Sequence, residues 1–137
     1  MTADAFELIR PFIRFMHFDA GTCIINEGDV NDRIYFIESG AVEILKVVGN
    51  GATAGRRRLM ALGPGDTFGE MELIDIQPCA ATVRALERTE TLSLSNRDLY
   101  KVSKVDMKTY ALLVMNLARE ISRRLRLAND MIAHMPR

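Results

Sequence analysis

The chain has 137 residues, 48% of them hydrophobic and 26% charged, with 18 basic side chains balanced by 18 acidic ones. That is the size and composition of one soluble globular domain with its own core. Neutrality gives no electrostatic reason for nucleic acid or an anionic membrane as partner, and the purely apolar run from Ala111 to Met115 is too short to span a bilayer.

The N-terminus has no basic start followed by an apolar stretch, so no secretion signal is expected. Cys23 and Cys79 are read as the reduced thiols of a cytoplasmic protein. Residues 1–15 are expected to hold an N-terminal helix, with Phe6, Ile9 and Ile13 at helical spacing and Pro11 bending or ending it. From 16 to 95 the texture changes to short apolar segments separated by glycine turns. Ile34 to Ile37 and Val42 to Val48 read as strands joined at Ser39-Gly40. The stretch "GNGATAG" reads as a mobile hairpin loop, and Arg58 to Leu62, Ala80 to Ala85 and Thr91 to Ser95 as further strands. Many short strands at regular spacing predict a sandwich or a barrel.

Residues 96–137 return to helix. Ser95 and Asp98 form the signature of an N-cap and its N3 acid, opening a helix over "NRDLYKVSKV". Asp106 is placed to cap a longer one reaching about Ile132. Along it, Met107, Ala111, Val114, Ala118, Ile121, Leu125, Ala128 and Ile132 step by four and three as a heptad seam. Tyr110, Leu113 and Leu117 add a second stripe in the first half, and Arg119, Arg123, Arg124 and Arg126 form a basic back. The first half therefore faces the domain's own strands and something else. A homodimer through residues 107–132 is expected. The competing reading is a single amphipathic helix lying on its own barrel.

The stretch "FGEMELIDIQPCAATVRA", residues 68–85, carries the chemistry. Gly69 admits close approach to the backbone. The residues after it can form a helical turn or two, whose free amides favour an anion. Glu70, in the first turn, can accept from a sugar hydroxyl, Pro78 fixes the return, and the small Ala80 and Ala81 leave their amides accessible. These are the parts of a ribose-phosphate site.

The stretch resembles the phosphate-binding cassette of the cyclic nucleotide-binding domain family, whose pattern is Phe-Gly-Glu, a short apolar helix, then Pro-Arg-Ala-Ala-Thr. The resemblance extends through "FDAGTCIINEGDVNDRIYFIESGAVEIL", "LGPGDTFGE" and "LSNRDLYKV", and so covers most of the chain. It implies an eight-stranded β-roll, mainly β and jelly-roll-like, with an N-terminal helix and a long C-terminal helix. It implies a regulatory module that needs no cofactor, takes cAMP or cGMP as ligand, and signals through its C-terminal helices to a partner protein. By the same resemblance Glu70 holds the ribose 2′-hydroxyl. Gly69, Ala80, Ala81 and Thr82 supply the remaining cassette contacts, and Asn129 is the candidate to reach the base.

Two positions depart from the pattern. The phosphate arginine is replaced by Cys79, and Glu72 stands where a small or apolar residue is usual. Losing one member of a buried charge-assisted pair costs about 2–5 kcal/mol, or roughly 30- to several-thousand-fold in affinity. Arg84, five residues on, falls on the opposite strand face if the strand is regular. Arg88 and an arginine from a partner's long helix are the other cations open to the role. Cys79 itself is either a small neutral replacement or a thiol activated by nearby amides. Glu70 could instead cap the cassette's own amides, Thr82 could serve only as a strand residue, and Asn129 could be a solvated helix residue. A degenerate, ligand-free, dimeric scaffold is therefore the alternative reading.

Other classes fit less well. After Ile132 only "AHMPR" follows, so no DNA-reading helix is expected. Arg56-Arg57-Arg58 alternates between strand faces rather than forming a patch. A cupin-type metal site needs clustered histidines, but His17 and His134 lie near opposite ends and neither falls in the cassette to serve a catalytic triad. A non-enzyme is expected.

Overall fold

The computed structural model describes residues 7–49, 55–70 and 77–135. Among them, eight antiparallel strands form two four-stranded sheets, flanked by helices, the β-roll that the resemblance implied. One sheet orders β1 (Arg14–Phe18), β8 (Thr89–Ser95), β3 (Arg33–Ser39) and β6 (Thr67–Phe68). The other orders β2 (Cys23–Ile25), β7 (Thr82–Ala85), β4 (Val42–Val48) and β5 (Gly55–Leu62).

Sequence neighbours β3 and β4 thus lie in different sheets. The chain crosses between them at Gly40, whose φ of 92° suits only glycine and where a Cβ would collide with the Arg88 carbonyl and Thr89. The β4–β5 hairpin forms, while the tip of its "GNGATAG" loop lies outside the described residues. β5 is an edge strand carrying Arg56, Arg57 and Arg58, charges that discourage pairing with another chain.

Two apolar cores explain why β3 reads as a continuous apolar run. Tyr35 and Ile37 point between the sheets, where Ile25, Val42, Leu62, Phe68, Cys79 and Val83 join them. Ile34 and Phe36 point outward, under the helices, with Leu94, Val102, Leu113 and Leu117. With both faces covered, alternation disappears. Tyr35 stacks on Phe68 with ring centroids 4.8 Å apart, and burial pushes its phenol pKa up.

Among the described residues of the N-terminal segment, 7–9 are helical, a 3-10 helix follows at Arg10–Phe12, and β1 begins at Arg14 rather than 16. Pro11 ends the regular helix, while Ile9, Phe12 and Ile13 still seal the outer core. Phe6 lies outside the described residues.

Helix α1 (Asn96–Val105) starts on a complete capping box: Ser95 Oγ accepts from the Asp98 amide at 3.0 Å, and the Asp98 carboxylate accepts from the Ser95 amide at 3.3 Å. Helix α2 (Met107–Ala133) rises from Asp106, whose carboxylate accepts the Thr109 hydroxyl at 2.7 Å rather than a backbone amide. Its length is about 40 Å. Only Thr109, Leu113 and Leu117 are buried, so the second stripe packs on the domain and the heptad seam faces outward. Leu125 is 60% and Ile132 66% exposed. No helix among the described residues is long and apolar enough to cross a membrane.

Candidate functional site

β6 delivers Gly69 and Glu70 to one end of the roll. Gly69 has a φ of 88°, and a Cβ there would come within 2.5 Å of the Arg33 carbonyl. The position therefore requires glycine for both conformation and space. Asn31 holds this turn. Its amide donates to the Gly69 carbonyl at 3.2 Å and to the Arg33 carbonyl at 2.7 Å, while its oxygen accepts from the Arg33 amide.

Glu70 is 3% exposed, and its Oε1 accepts from Arg124 Nη1 at 2.7 Å. Arg124 also donates to the Thr67 carbonyl, and its Nε lies 3.2 Å from Glu120. Arg123 completes the network, pairing with Glu120 at 2.6 Å and with Asp66, in the β5–β6 turn, at 3.1 Å. The Arg123 hydrogen bond leads the causes that hold the Glu120 carboxyl below its ordinary range, opposed in part by burial. The second half of α2 is thus strapped to the cassette by charge rather than by apolar packing.

The return strand forms the other wall. The Cys79 amide donates to the Asp29 carbonyl and its carbonyl accepts from Gly28, both at 2.8 Å, tying the cassette to the β2–β3 loop. The Cys79 side chain is 3% exposed, within the inter-sheet core. Thr82 Oγ1 accepts from the Glu27 amide at 3.0 Å. Lys46, on β4, donates from Nζ to the Ala80 carbonyl at 2.6 Å and lies 3.6 Å from Glu27.

Between these walls lies a cleft of about 80 Å³. Gly69, Glu70, Ala80 and Ala81 line it, with Ile44 and Val83 at its base and Arg124 across it. Four of the seven expected site residues therefore meet here. Cys79 and Thr82 stand behind the wall, one in the core and the other in a loop hydrogen bond. Asn129 is exposed on α2 and does not line the cleft. Glu72, and with it residues 71–76, where a short helix was expected, lies outside the described residues.

Among the other cations, Arg84 lies on the outer sheet face, 3.0 Å from Glu43, although β7 begins only at Thr82 and no regular strand runs from Cys79. Arg88 is exposed beside Asp19 and Glu90. Arg124 was expected on the basic back of the helix and lines the cleft instead. Its signal was its spacing: it stands seven residues after Leu117, two turns along the buried stripe. Asn31 carried no comparable signal. No group of three histidines, cysteines or acids suited to a metal ion occurs among the described residues.

Comparison with known proteins agrees with this geometry. The cyclic nucleotide-binding domain family matches residues 15–106. The chain is 34% identical over 123 residues to the cyclic AMP receptor protein of Thermus thermophilus, covering 90% of this chain and 54% of that protein. It is 38% identical over 84 residues to a cAMP-dependent protein kinase regulatory subunit of Yarrowia lipolytica, covering 61% of this chain and 20% of the relative. The chain thus spans about half the length, or less, of these curated relatives. A cyclic nucleotide-binding domain from Methylobacillus flagellatus superposes with a TM-score of 0.90 at 23% identity, over 97% of this chain and 73% of the other, a likeness of fold.

Proposed function

The chain belongs to the cyclic nucleotide-binding domain family, and from that premise we propose that it is a non-catalytic sensor that takes cAMP or cGMP into the Glu70 cleft and reports occupancy through α2. The observation that carries this reading is the 2.7 Å pair between Glu70 and Arg124. The residue matched to the ribose and the helix matched to output are joined directly.

A cleft of about 80 Å³ is much smaller than the ~300–1,000 Å³ of usual ligand sites. In this reading a nucleotide enters as Arg124 and the second half of α2 move. The ribose hydroxyl then competes with the guanidinium for the Glu70 carboxylate, and the ligand shifts α2 by its unequal affinity for the two arrangements. Calorimetric titration with cAMP and cGMP, carried to millimolar ligand, is expected to give saturable heat. In Glu70→Gln, which keeps the shape and loses the charge, affinity is expected to fall at least about tenfold, the scale of a charged hydrogen bond. Silence from the folded wild type would instead support the ligand-free scaffold, the reading favoured by a Cys79 side chain turned into the core.

Both readings place a second copy of the chain on α2. Its seam leaves Met107, Val114, Leu125 and Ile132 exposed, about two or three turns apart along the helix. Sedimentation equilibrium is expected to return twice the chain mass. Leu125→Glu is expected to return the monomer, and a monomeric wild type at tens of micromolar would remove the dimer from the proposal.

A further inference from the structure

Glu70, its partner Arg124, Ala80 and Ala81 line one cleft. Arg124 is committed to Glu70, so an anionic ligand at the alanines needs another cation, and Cys79 supplies none. Arg84 is engaged on the outer face and Arg88 is remote on the surface.

The geometry points to Lys46 as the phosphate-binding cation of this chain, an assignment that rests on the cyclic nucleotide reading above. On β4, Ile44 lines the cleft, and Lys46 stands two residues further along the same strand face. The register slip in this region inserts Leu59 into β5, so β4 keeps its alternation. Leu45 pairs with Thr82, which brings Lys46 level with the cassette return, and Nζ reaches the Ala80 carbonyl at 2.6 Å.

A lysine suits this place. Its ammonium carries three donors on a flexible stem. One holds the Ala80 carbonyl and one faces Glu27, 3.6 Å away, leaving a third to turn to an anion in the cleft that Ala80 and Ala81 line. The side chain is half-exposed, so the head group can swing without unpacking the core. A cation has thus moved from the cassette itself to the neighbouring strand.

The test is calorimetric titration of wild type, Lys46→Met and Lys46→Arg with cAMP and, in parallel, with adenosine, which lacks the phosphate. Lys46→Met is expected to lose at least about tenfold in cAMP affinity with adenosine binding unchanged, and Lys46→Arg to stay within about threefold of wild type. The thermal midpoints of all three should agree, because Lys46 lies outside both cores. Wild-type cAMP affinity in Lys46→Met overturns the assignment and leaves the sensor reading standing. A parallel loss of cAMP and adenosine reduces Lys46 to a structural clip on Ala80. No binding by the wild type sinks the sensor reading and the assignment with it.

Discussion

Replacing Arg124 by methionine should lower the thermal midpoint by about 10 °C. Arg124 is largely buried and Glu70 almost wholly so. Removing the guanidinium takes from the buried Glu70 carboxylate its charged partner at 2.7 Å. Breaking a buried pair from one side costs about 3–5 kcal/mol, and in a domain of this size each kcal/mol moves the midpoint by roughly 3–4 °C. The cost belongs to the stranded charge, not to the pair. The double variant Arg124→Met with Glu70→Gln should therefore recover most of the loss. A single variant as stable as wild type would mean that Glu70 is satisfied elsewhere, and an unrecovered double would mean that Arg124 acts by packing. Either result would detach α2 from the cassette as an output element.

The same pair shows where reading the sequence succeeds and where it stops. Signals of short range were legible. Ser95 and Asp98 stand three residues apart and form the capping box. Gly69 and Glu70 are adjacent and meet on one cleft. Within β7 itself Val83 packs in the core and Arg84 turns outward, the alternation of a strand. Contacts closed only by the tertiary fold were not legible. Arg124 meets Glu70 across 54 residues, and an arginine among three others on a helix back looks solvated until the stripe beneath it is followed past its last leucine.

Cys79 fails for a different reason. Residues 77–81 are not strand, so the period of two that placed Arg84 cannot say where the 79 side chain turns. Asn129 was placed by resemblance alone, and in the single chain it is exposed on α2, away from the cleft. In the N-terminal segment Pro11 was legible as the point where a regular helix bends or ends, because it removes a donor, and the helix at 7–9 gives way there to a 3-10 helix at Arg10–Phe12.

Restoring the family arginine, Cys79→Arg, should raise cAMP affinity by about 10- to 100-fold. A buried charge-assisted pair is worth up to about 2–5 kcal/mol when one side is removed. The gain here should be smaller, because Lys46 already places a cation at the Ala80 carbonyl. The difficulty is space, since Cys79 is 3% exposed inside the inter-sheet core. However, Ile25, Phe68 and Val83 belong both to that core and to the cleft wall. These side chains are the shared wall, so a long side chain at 79 reaches the cleft only if they shift, carrying its aliphatic stem through apolar surroundings with its charge at the far end. Calorimetric titration of the variant, read beside its thermal midpoint, decides the matter. Tighter binding, with the Lys46→Met penalty reduced in the Cys79→Arg background, would mean that the two cations serve one phosphate. A lower midpoint with no gain in affinity would mean that the guanidinium is trapped in the core. The cassette would then have closed around its cysteine, and an anion would reach the alanine end only from the side of β4.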